Sequence, residues 1–319
     1  MNNKEIYKKT LTFSIRRFGW DLLSVVVITL FTAAGVYLAS VLNGPWAAGL
    51  CIGLLIGIVV MAIASHFISY VFKAGQIAMM TEGVTTGKLP DDVYAAGKKV
   101  VKERFATVAV YYAVTGAIKG IFNQLGNAIT SVGNAVGGDT GSAIGSTISA
   151  VLQTIVNYLC DCCLGWVFYK KDESSFKATM EGAVLYFRHG KTFFKNMGRV
   201  FGIGVLSFLV IGGVFFGIFY LITMAFQGGF ADLANWLATE GDDVPEFLTH
   251  ANNLMLVTAG VGGVIMWSIL HSVFVKPFVL VGVLRNYIAS GKDEKFAESD
   301  FDELDKKSAK FKKIHAEAK

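Results

Sequence analysis

The lysines and arginines of this 319-residue chain are sorted along the sequence, and this sorting constrains its fold more than any other feature. All but one lie in four stretches that are separated by apolar runs: Met1–Arg17, Lys73–Arg104, Lys170–Arg199 and Lys276–Lys319. The exception is Lys119, and the three remaining connections hold no lysine or arginine. Because basic loops are retained on the cytoplasmic side of a membrane, this alternation is typical of a polytopic membrane protein with both termini in the cytoplasm.

The apolar runs predict six membrane spans, at about 20–42, 46–72, 105–132, 141–168, 200–226 and 254–275. Each is long enough to cross a hydrocarbon layer of about 30 Å as an α-helix. Apolar residues make up 53% of the chain and charged residues 17%, a balance that argues against a water-soluble globular protein. We therefore predict an all-α, polytopic transmembrane helical bundle of the cell (plasma) membrane, with about six spans in three hairpins and amphipathic helices on the cytoplasmic side.

Three domains follow from this pattern: a cytoplasmic amphipathic N-terminal segment at 1–19, a transmembrane helical domain at 20–290 and a charged cytoplasmic C-terminal helix at 291–319. Two basic connections also carry helix signals. The first breaks at Gly87–Pro90 and restarts behind Asp91 and Asp92, and the second follows the capping residues Asp172 and Ser174. The C-terminal segment places apolar residues in one helical stripe: Phe301, Leu304, Phe311 and Ile314.

The third and fourth apolar runs differ from the others because polar residues recur in them at every fourth position. The members that we predict to line a transport path or substrate-binding site are Lys119, Asn123, Asn127, Gln153, Asn157 and Asp161. A charge near the bilayer centre costs about 2.5–3.5 kcal/mol, so this face should contact protein or water. If the run 141–168 pairs with 105–132, Asp161 lies deeper than Lys119, which then reaches it only as an extended side chain or through a water molecule.

Two other interpretations of this polar stripe remain open. The amides and hydroxyls are also suited to interhelical hydrogen bonds between closely packed spans. Alternatively, 105–132 is amphipathic enough to lie partly in the membrane interface or to re-enter the membrane.

The sequence lacks the motifs of the common enzyme classes. It has no phosphate-binding loop, no H-E-x-x-H and no G-x-S-x-G, and we predict neither an enzyme nor a cofactor. The cluster Cys160–Cys163 lacks the second C-x-x-C pair and the histidines of a zinc site, so no metal site is predicted. The net charge of +5 is explained by basic loops at an anionic leaflet, and no nucleic-acid partner is expected.

The order of features in the second half of the chain resembles the C-terminal half of the choline transporter-like family. The segments that carry this resemblance are Gly141–Ser146, Cys160–Cys163, Tyr186–Phe194 and Gly204–Phe208, followed by a last span and a charged tail. The whole chain is also similar to uncharacterised multi-pass bacterial membrane proteins through its segments Lys73–Ala78 and Val101–Phe105. The first resemblance implies movement of choline or a related organic cation. The chain is about half that family's usual length and lacks its large extracellular loop.

These features favour a small-solute or ion transporter or channel whose polar path follows the middle hairpin. The alternative is a non-transporting membrane scaffold or assembly protein that acts through its cytoplasmic amphipathic helices and tail. The expected partners are membrane lipids, a second copy of the chain in a homo-oligomer, and a cytoplasmic protein at the C-terminal tail.

Overall fold

The computed structural model describes residues 1–106, 108–134, 156–240 and 244–318, and within these ranges the chain is helical and contains no strand. The all-α prediction is therefore confirmed for the described residues. The helices are α1 (Asn3–Val41), α2 (Trp46–Thr86), α3 (Val93–Arg104), α4 (Val108–Asn134), α5 (described over 156–169), α6 (Ser175–Ser207), α7 (Gly213–Ala225), α8 (Gln227–Glu240), α9 (Ala251–Leu270), α10 (Lys276–Gly291), α11 (Glu298–Lys307) and α12 (Ala309–Ala318). Two π-helical segments lie at Phe208–Gly212 and His271–Val275, and a 3₁₀ turn lies at Glu246–Thr249.

Four helical stretches are long and apolar enough to cross a membrane: Asn3–Val41, Trp46–Thr86, Val200–Ala225 and Ala251–Gly291. They correspond to the first, second, fifth and sixth predicted spans. A fifth candidate is α3 taken together with residues 109–124, but these two pieces meet at 83°. The protein is thus an apolar, multi-helix membrane protein, and the described residues support four of the six predicted spans.

The chain folds into two compact units, Met1–Gly198 with Pro277–Lys319 (unit 1) and Arg199–Lys276 (unit 2). In unit 1 we call residues 20–42 of α1 and 46–72 of α2 the outer half, and the remaining residues the inner half. The outer half is a helical hairpin whose backbones approach closely. A Cβ atom on Gly35 would lie 2.2 Å from the carbonyl oxygen of Gly49, and one on Gly53 would lie 2.4 Å from that of Phe31. Only glycine fits this seam, as in other tightly packed membrane helices.

The inner half of unit 1 has a core of large side chains. Among its fully buried residues are Trp166, Tyr287, Phe13, Phe105 and Phe122. Phe13 of α1 lies across Gly75 of α2 and Gly97 of α3, where a Cβ atom would come within 2.6 Å of its ring. The inner ends of α1 and α2 therefore continue beyond the predicted spans into a helical domain.

The connections before α3 and before α6 fold as the sequence predicts. Gly87 ends α2 in the left-handed conformation, with φ of 69°. The Asp92 carboxylate then accepts a hydrogen bond from the Ala95 amide at 2.9 Å and caps α3. Ser174 caps α6 in the same way, through the Lys177 amide at 3.1 Å. The apolar faces of both helices lie against the protein, with Val101 and Val184 buried.

The charged C-terminal segment forms two helices and not the single helix predicted. The break falls at Ser308, whose hydroxyl accepts a hydrogen bond from the Phe311 amide at 3.1 Å and so caps α12. The predicted stripe is buried on both sides of this break, at Phe301, Leu304, Phe311 and Ile314. The segment is docked on unit 1, since Arg188 of α6 pairs with Asp300 at 2.6 Å and also with Glu294.

The packing of α4 argues against the predicted third span at 105–132. Gln124 accepts hydrogen bonds from the Ser308 hydroxyl at 2.6 Å and from the Lys310 amide at 3.2 Å. The Lys310 side chain also lies over Gly120. Because α12 exposes several lysines, it cannot lie in hydrocarbon, and residues 120–124 beside it cannot either. These contacts favour the alternative in which 105–132 lies partly in the membrane interface or re-enters the membrane.

The predicted fourth span, 141–168, is described only from residue 156, as α5. This helix is enclosed by other helices of the inner half. Thr81 of α2 donates a hydrogen bond to the Gly165 carbonyl at 3.5 Å, Leu284 of α10 lies against Gly165, and Cys163 faces the Thr179 carbonyl of α6 at 3.6 Å. The described part of this run is therefore a core helix of the inner half, not a lipid-facing span.

Unit 2 is a second helical hairpin, built from the end of α6, α7 and α9. A Cβ atom on Gly263 would lie 3.0 Å from the carbonyl oxygen of Gly212, so here too the backbones are close. At the start of its two π-helical segments, the Ser207 hydroxyl lies 2.8 Å from His271 Nδ1 and accepts a hydrogen bond from Trp267 at 3.2 Å. This small polar cluster holds the hairpin together between otherwise apolar faces.

Candidate functional site

A cavity of about 310 Å³ lies in unit 1, where α1 and α2 pass from the outer half into the inner half. Helices α4 and α5 complete its wall. Its charged lining residues are Arg17 and Asp21 of α1, Lys73 of α2, Lys119 of α4 and Asp161 of α5. Four helices that are distant in sequence thus bring five charged side chains to one cavity.

Asp161 is the most buried of these charges. Its side chain is 4% exposed, and it pairs with Lys73 Nζ at 2.6 Å. Arg17 lies one helical turn before Asp21, and the two are 3.9 Å apart. Lys119 is exposed to the cavity and makes no ion pair with any residue that the structure describes. Among the described residues, the site therefore combines one tight pair with a buried carboxylate, one loose pair and one cation without a counter-ion.

Hydroxyl groups form the rest of the polar lining, at Ser69, Tyr70, Tyr111, Tyr112 and Thr115. Tyr112 stacks on the ring of His66 at 3.8 Å and donates a hydrogen bond to the His66 carbonyl at 2.7 Å. Thr115 donates to the Tyr111 carbonyl at 2.9 Å. The contacts of Tyr112 with His66 hold the start of α4 against α2, whereas the Thr115 bond lies within α4.

The structure brings together two of the six site residues predicted from sequence, Lys119 and Asp161, because both line this cavity. The expected contact between Lys119 and Asp161 is not the ion pair that forms. The lysine that reaches Asp161 is Lys73, from the inner end of α2, and not Lys119. The polar stripe could not reveal this partner, since Lys73 belongs to a basic connection more than forty residues away from the stripe.

Of the other four predicted residues, two are described and two are not. Asn123 and Asn157 are exposed and lie outside its lining. Asn127 is in α4, but its side chain lies outside the described residues, and Gln153 lies outside them altogether. The continuous polar path predicted along the middle hairpin is therefore not tested by the described part of the chain.

Sequence reasoning missed three of the five charged lining residues, Arg17, Asp21 and Lys73. Of these three residues, Asp21 could have been identified from the sequence. Asp21 is an acid inside the first apolar run, four residues after Arg17, and an ionisable residue at that place is a functional candidate in a membrane protein. Lys73 gave no comparable signal, because a lysine at the inner end of a span is usual.

No protein-family profile matches the chain, and neither a curated protein nor a solved structure matches it. The resemblance to choline transporter-like proteins therefore stays a prediction.

Proposed function

We propose that this protein is a multi-pass protein of the cell membrane, with both termini in the cytoplasm, that binds a small polar solute at the inner membrane boundary as part of its transport. The single observation that carries this proposal is the cavity lined by Lys73, Lys119 and Asp161. The Asp161 carboxylate is buried, and a buried charge costs desolvation energy that a partly exposed partner such as Lys73 offsets only in part. Its presence in the wall of a cavity is better explained by a role in binding.

The position of the cavity supports a site at the cytoplasmic boundary. Arg17 directly precedes the first apolar run and Lys73 directly follows the second, so both lie at the level where the chain leaves the hydrocarbon. We therefore propose a site at an entrance and not in the middle of the bilayer. The proposal thus differs from a path along the middle hairpin, although it keeps Lys119 and Asp161 as its central residues.

Solute uptake into liposomes that contain the purified full-length protein tests this function. Radiolabelled choline and glycerol 3-phosphate serve as the probes, and Asp161→Asn breaks the pair of this buried carboxylate with Lys73 while keeping the side-chain size. We expect uptake of one probe above protein-free liposomes, with a loss of about tenfold in Asp161→Asn, as expected for the loss of about 1.4 kcal/mol of interaction.

The matched control is Glu82→Gln, which removes a surface pair to Lys171 at 3.1 Å outside the cavity. It should retain the uptake of the unmodified protein. Uptake of both probes no faster than in protein-free liposomes would overturn the transport proposal, as would equal losses in the two variants.

A second candidate function is a membrane scaffold that binds a cytoplasmic protein through its tail. The docked tail is the observation that bears on it, because α11 and α12 bury Phe301, Leu304, Phe311 and Ile314 within the chain itself. A partner would have to displace these contacts first. Deletion of 292–319 separates the two functions, since a scaffold would lose its partner in a pull-down whereas a carrier would keep its uptake.

A further inference from the structure

The formal charges around the cavity do not cancel. Among the lining residues that the structure describes, Arg17, Lys73 and Lys119 are opposed by Asp21 and Asp161 alone, which leaves one positive charge. Lys73 is held by Asp161 at 2.6 Å, so Lys119 is the side chain on which the excess charge resides. An organic cation would meet repulsion from this lysine, whereas an anion would be attracted to it.

Hydrogen-bond donors accompany this charge. The hydroxyls of Ser69 and Tyr70 line the cavity and make no hydrogen bond with other described residues. Together with the Lys119 ammonium and the Arg17 guanidinium, they offer donors from three helices, α1, α2 and α4. A carboxylate has two oxygens to accept such bonds, while a phosphate ester has more oxygens and carries one or two negative charges. The volume of about 310 Å³ lies at the small end of the usual range for ligand sites and suits a ligand the size of a phosphoglycerol group.

We propose that the cavity binds the phosphate group of a phosphate ester, with Lys119 as the principal cation and Ser69 and Tyr70 as hydrogen-bond donors. This inference depends on the proposed function, because it names the class of solute that the same site takes. The phosphate can be presented by a phospholipid of the inner leaflet, since Arg17 and Lys73 lie at the headgroup level, or by a soluble ester. Both sources share the chemistry that the cavity recognises.

The test is a binding measurement on the purified full-length protein in neutral detergent. Glycerol 3-phosphate, phosphatidylglycerol, phosphatidylcholine and choline are titrated separately, and binding is followed by native mass spectrometry and by the shift in melting temperature. Lys119→Gln removes the proposed cation, and Lys98→Gln is the matched control, an exposed lysine on α3 away from the cavity. Because Lys119 is exposed, its replacement leaves the packing of α4 intact.

We expect Lys119→Gln to weaken phosphate binding about tenfold, the value of one charge-assisted hydrogen bond, and Lys98→Gln to leave it unchanged. Asp21→Asn should have the opposite effect and tighten binding, because it removes a negative charge from the same lining. Binding of phosphatidylglycerol alone would assign the site to lipid, and binding of glycerol 3-phosphate would assign it to a soluble ester.

Equal phosphate affinities in the unmodified protein and Lys119→Gln would overturn this inference, as would weaker binding in Asp21→Asn. If choline binds and none of the three phosphate compounds does, the proposed function stands and the phosphate assignment fails. If none of the probes binds, both fail.

Discussion

The outer and inner halves of unit 1 are built from the same two long helices, α1 and α2, but are held together in different ways. In the outer half the helices meet through glycine, with Gly35 and Gly49 in backbone contact, and large side chains such as Leu30 point outward. In the inner half they bury large side chains such as Phe13 and add buried polar contacts, for example Gln76 to Ser14 at 2.9 Å.

This difference follows the change of solvent along each helix. Lipid is as apolar as leucine, so burial of apolar side chains yields little in the outer half, and close backbone approach supplies the attraction instead. The inner half carries exposed charged residues such as Lys98 and Lys310, as a surface in water does, and there removal of apolar surface from solvent is the main stabilising contribution. The cavity lies where one mode of packing gives way to the other, and neither glycine contact nor a filled core closes the space there.

Replacement of a large core residue in the inner half should have the largest effect on stability. Trp166 is fully buried, and Trp166→Ala is expected to lower the free energy of unfolding by about 3–5 kcal/mol. Leu30→Ala in the outer half should change it by less than about 0.5 kcal/mol, because that side chain is 63% exposed and packs little against the rest of the chain. Unfolding of both variants in mixed micelles measures this contrast. Similar losses in the two variants would contradict the division into two kinds of packing.

Replacement of a glycine of α1 by alanine should have the next largest effect on stability. The sign should depend on whether that glycine lies in the seam with α2. Gly35→Ala is expected to cost about 1–3 kcal/mol, because the new methyl group would overlap the Gly49 backbone. Gly19→Ala meets no atom within 4 Å and should stabilise the helix by up to about 1 kcal/mol. Melting temperatures in the same detergent compare the two. A stabilised Gly35→Ala variant would show that the seam is not closed in the protein.

The sequence predicted the lipid-facing parts of this molecule better than its inner half. Four apolar runs, including 20–42 and 200–226, correspond to helices that can cross a membrane. Residues such as Phe105, Ile118 and Val167 are equally apolar but are buried by protein. Hydropathy records only that a side chain avoids water, so it cannot distinguish a residue that faces lipid from one that faces a core. This is why the third and fourth runs were also predicted as spans.

The candidate site was predictable to the extent that its residues were unusual in their own segments. Lys119 is a lone cation in an apolar run, and Asp161 continues a polar spacing of four, so both were identified. The pairing of Asp161 with Lys73 depends on how α2 and α5 meet in the inner half. Such contacts between distant segments are set by tertiary packing, and the spacing of residues within one helix does not predict them.

The next smaller effect is expected on the docking of the C-terminal tail, which packs against the inner half. Hydrogen bonds from His189 and then Arg188 lower the pKa of Glu294, and one from Arg188 lowers the pKa of Asp300. Since both pKa values are lowered by folding, this stabilisation is present above the ordinary carboxyl range and is lost as the pH falls through the lowered values. Arg188→Gln should therefore increase trypsin cleavage at Lys306 and Lys307 several-fold at pH 7, about the effect of 1 kcal/mol.

Lys177→Gln provides the matched control for this measurement, because it removes an exposed pair with Glu173 at the start of α6. Its cleavage pattern should equal that of the unmodified protein. A tail that is equally protected in Arg188→Gln and in the control would mean that the apolar stripe alone holds it.

The smallest effect is expected at Glu181, and it has the opposite dependence on pH. Its side chain is 6% exposed, and burial raises its pKa although Lys170 lies 3.8 Å away and Trp166 donates a hydrogen bond to it at 3.3 Å. Because folding raises this pKa, the native state binds the proton more tightly than the unfolded chain, and stability declines as the pH rises from the ordinary value of 4.5 through the raised value. Glu181→Gln keeps an acceptor for Trp166 and removes the buried charge. It should therefore stabilise the protein at pH 7 by at most about 1 kcal/mol and flatten this part of the pH profile.

The matched control is Glu103→Gln, which replaces an exposed carboxylate paired with Lys99 and should change neither the stability at pH 7 nor the pH profile. Melting curves between pH 4 and pH 8 decide the question, and a destabilised Glu181→Gln variant with an unchanged pH profile would show that the ion pair with Lys170 outweighs the desolvation of Glu181.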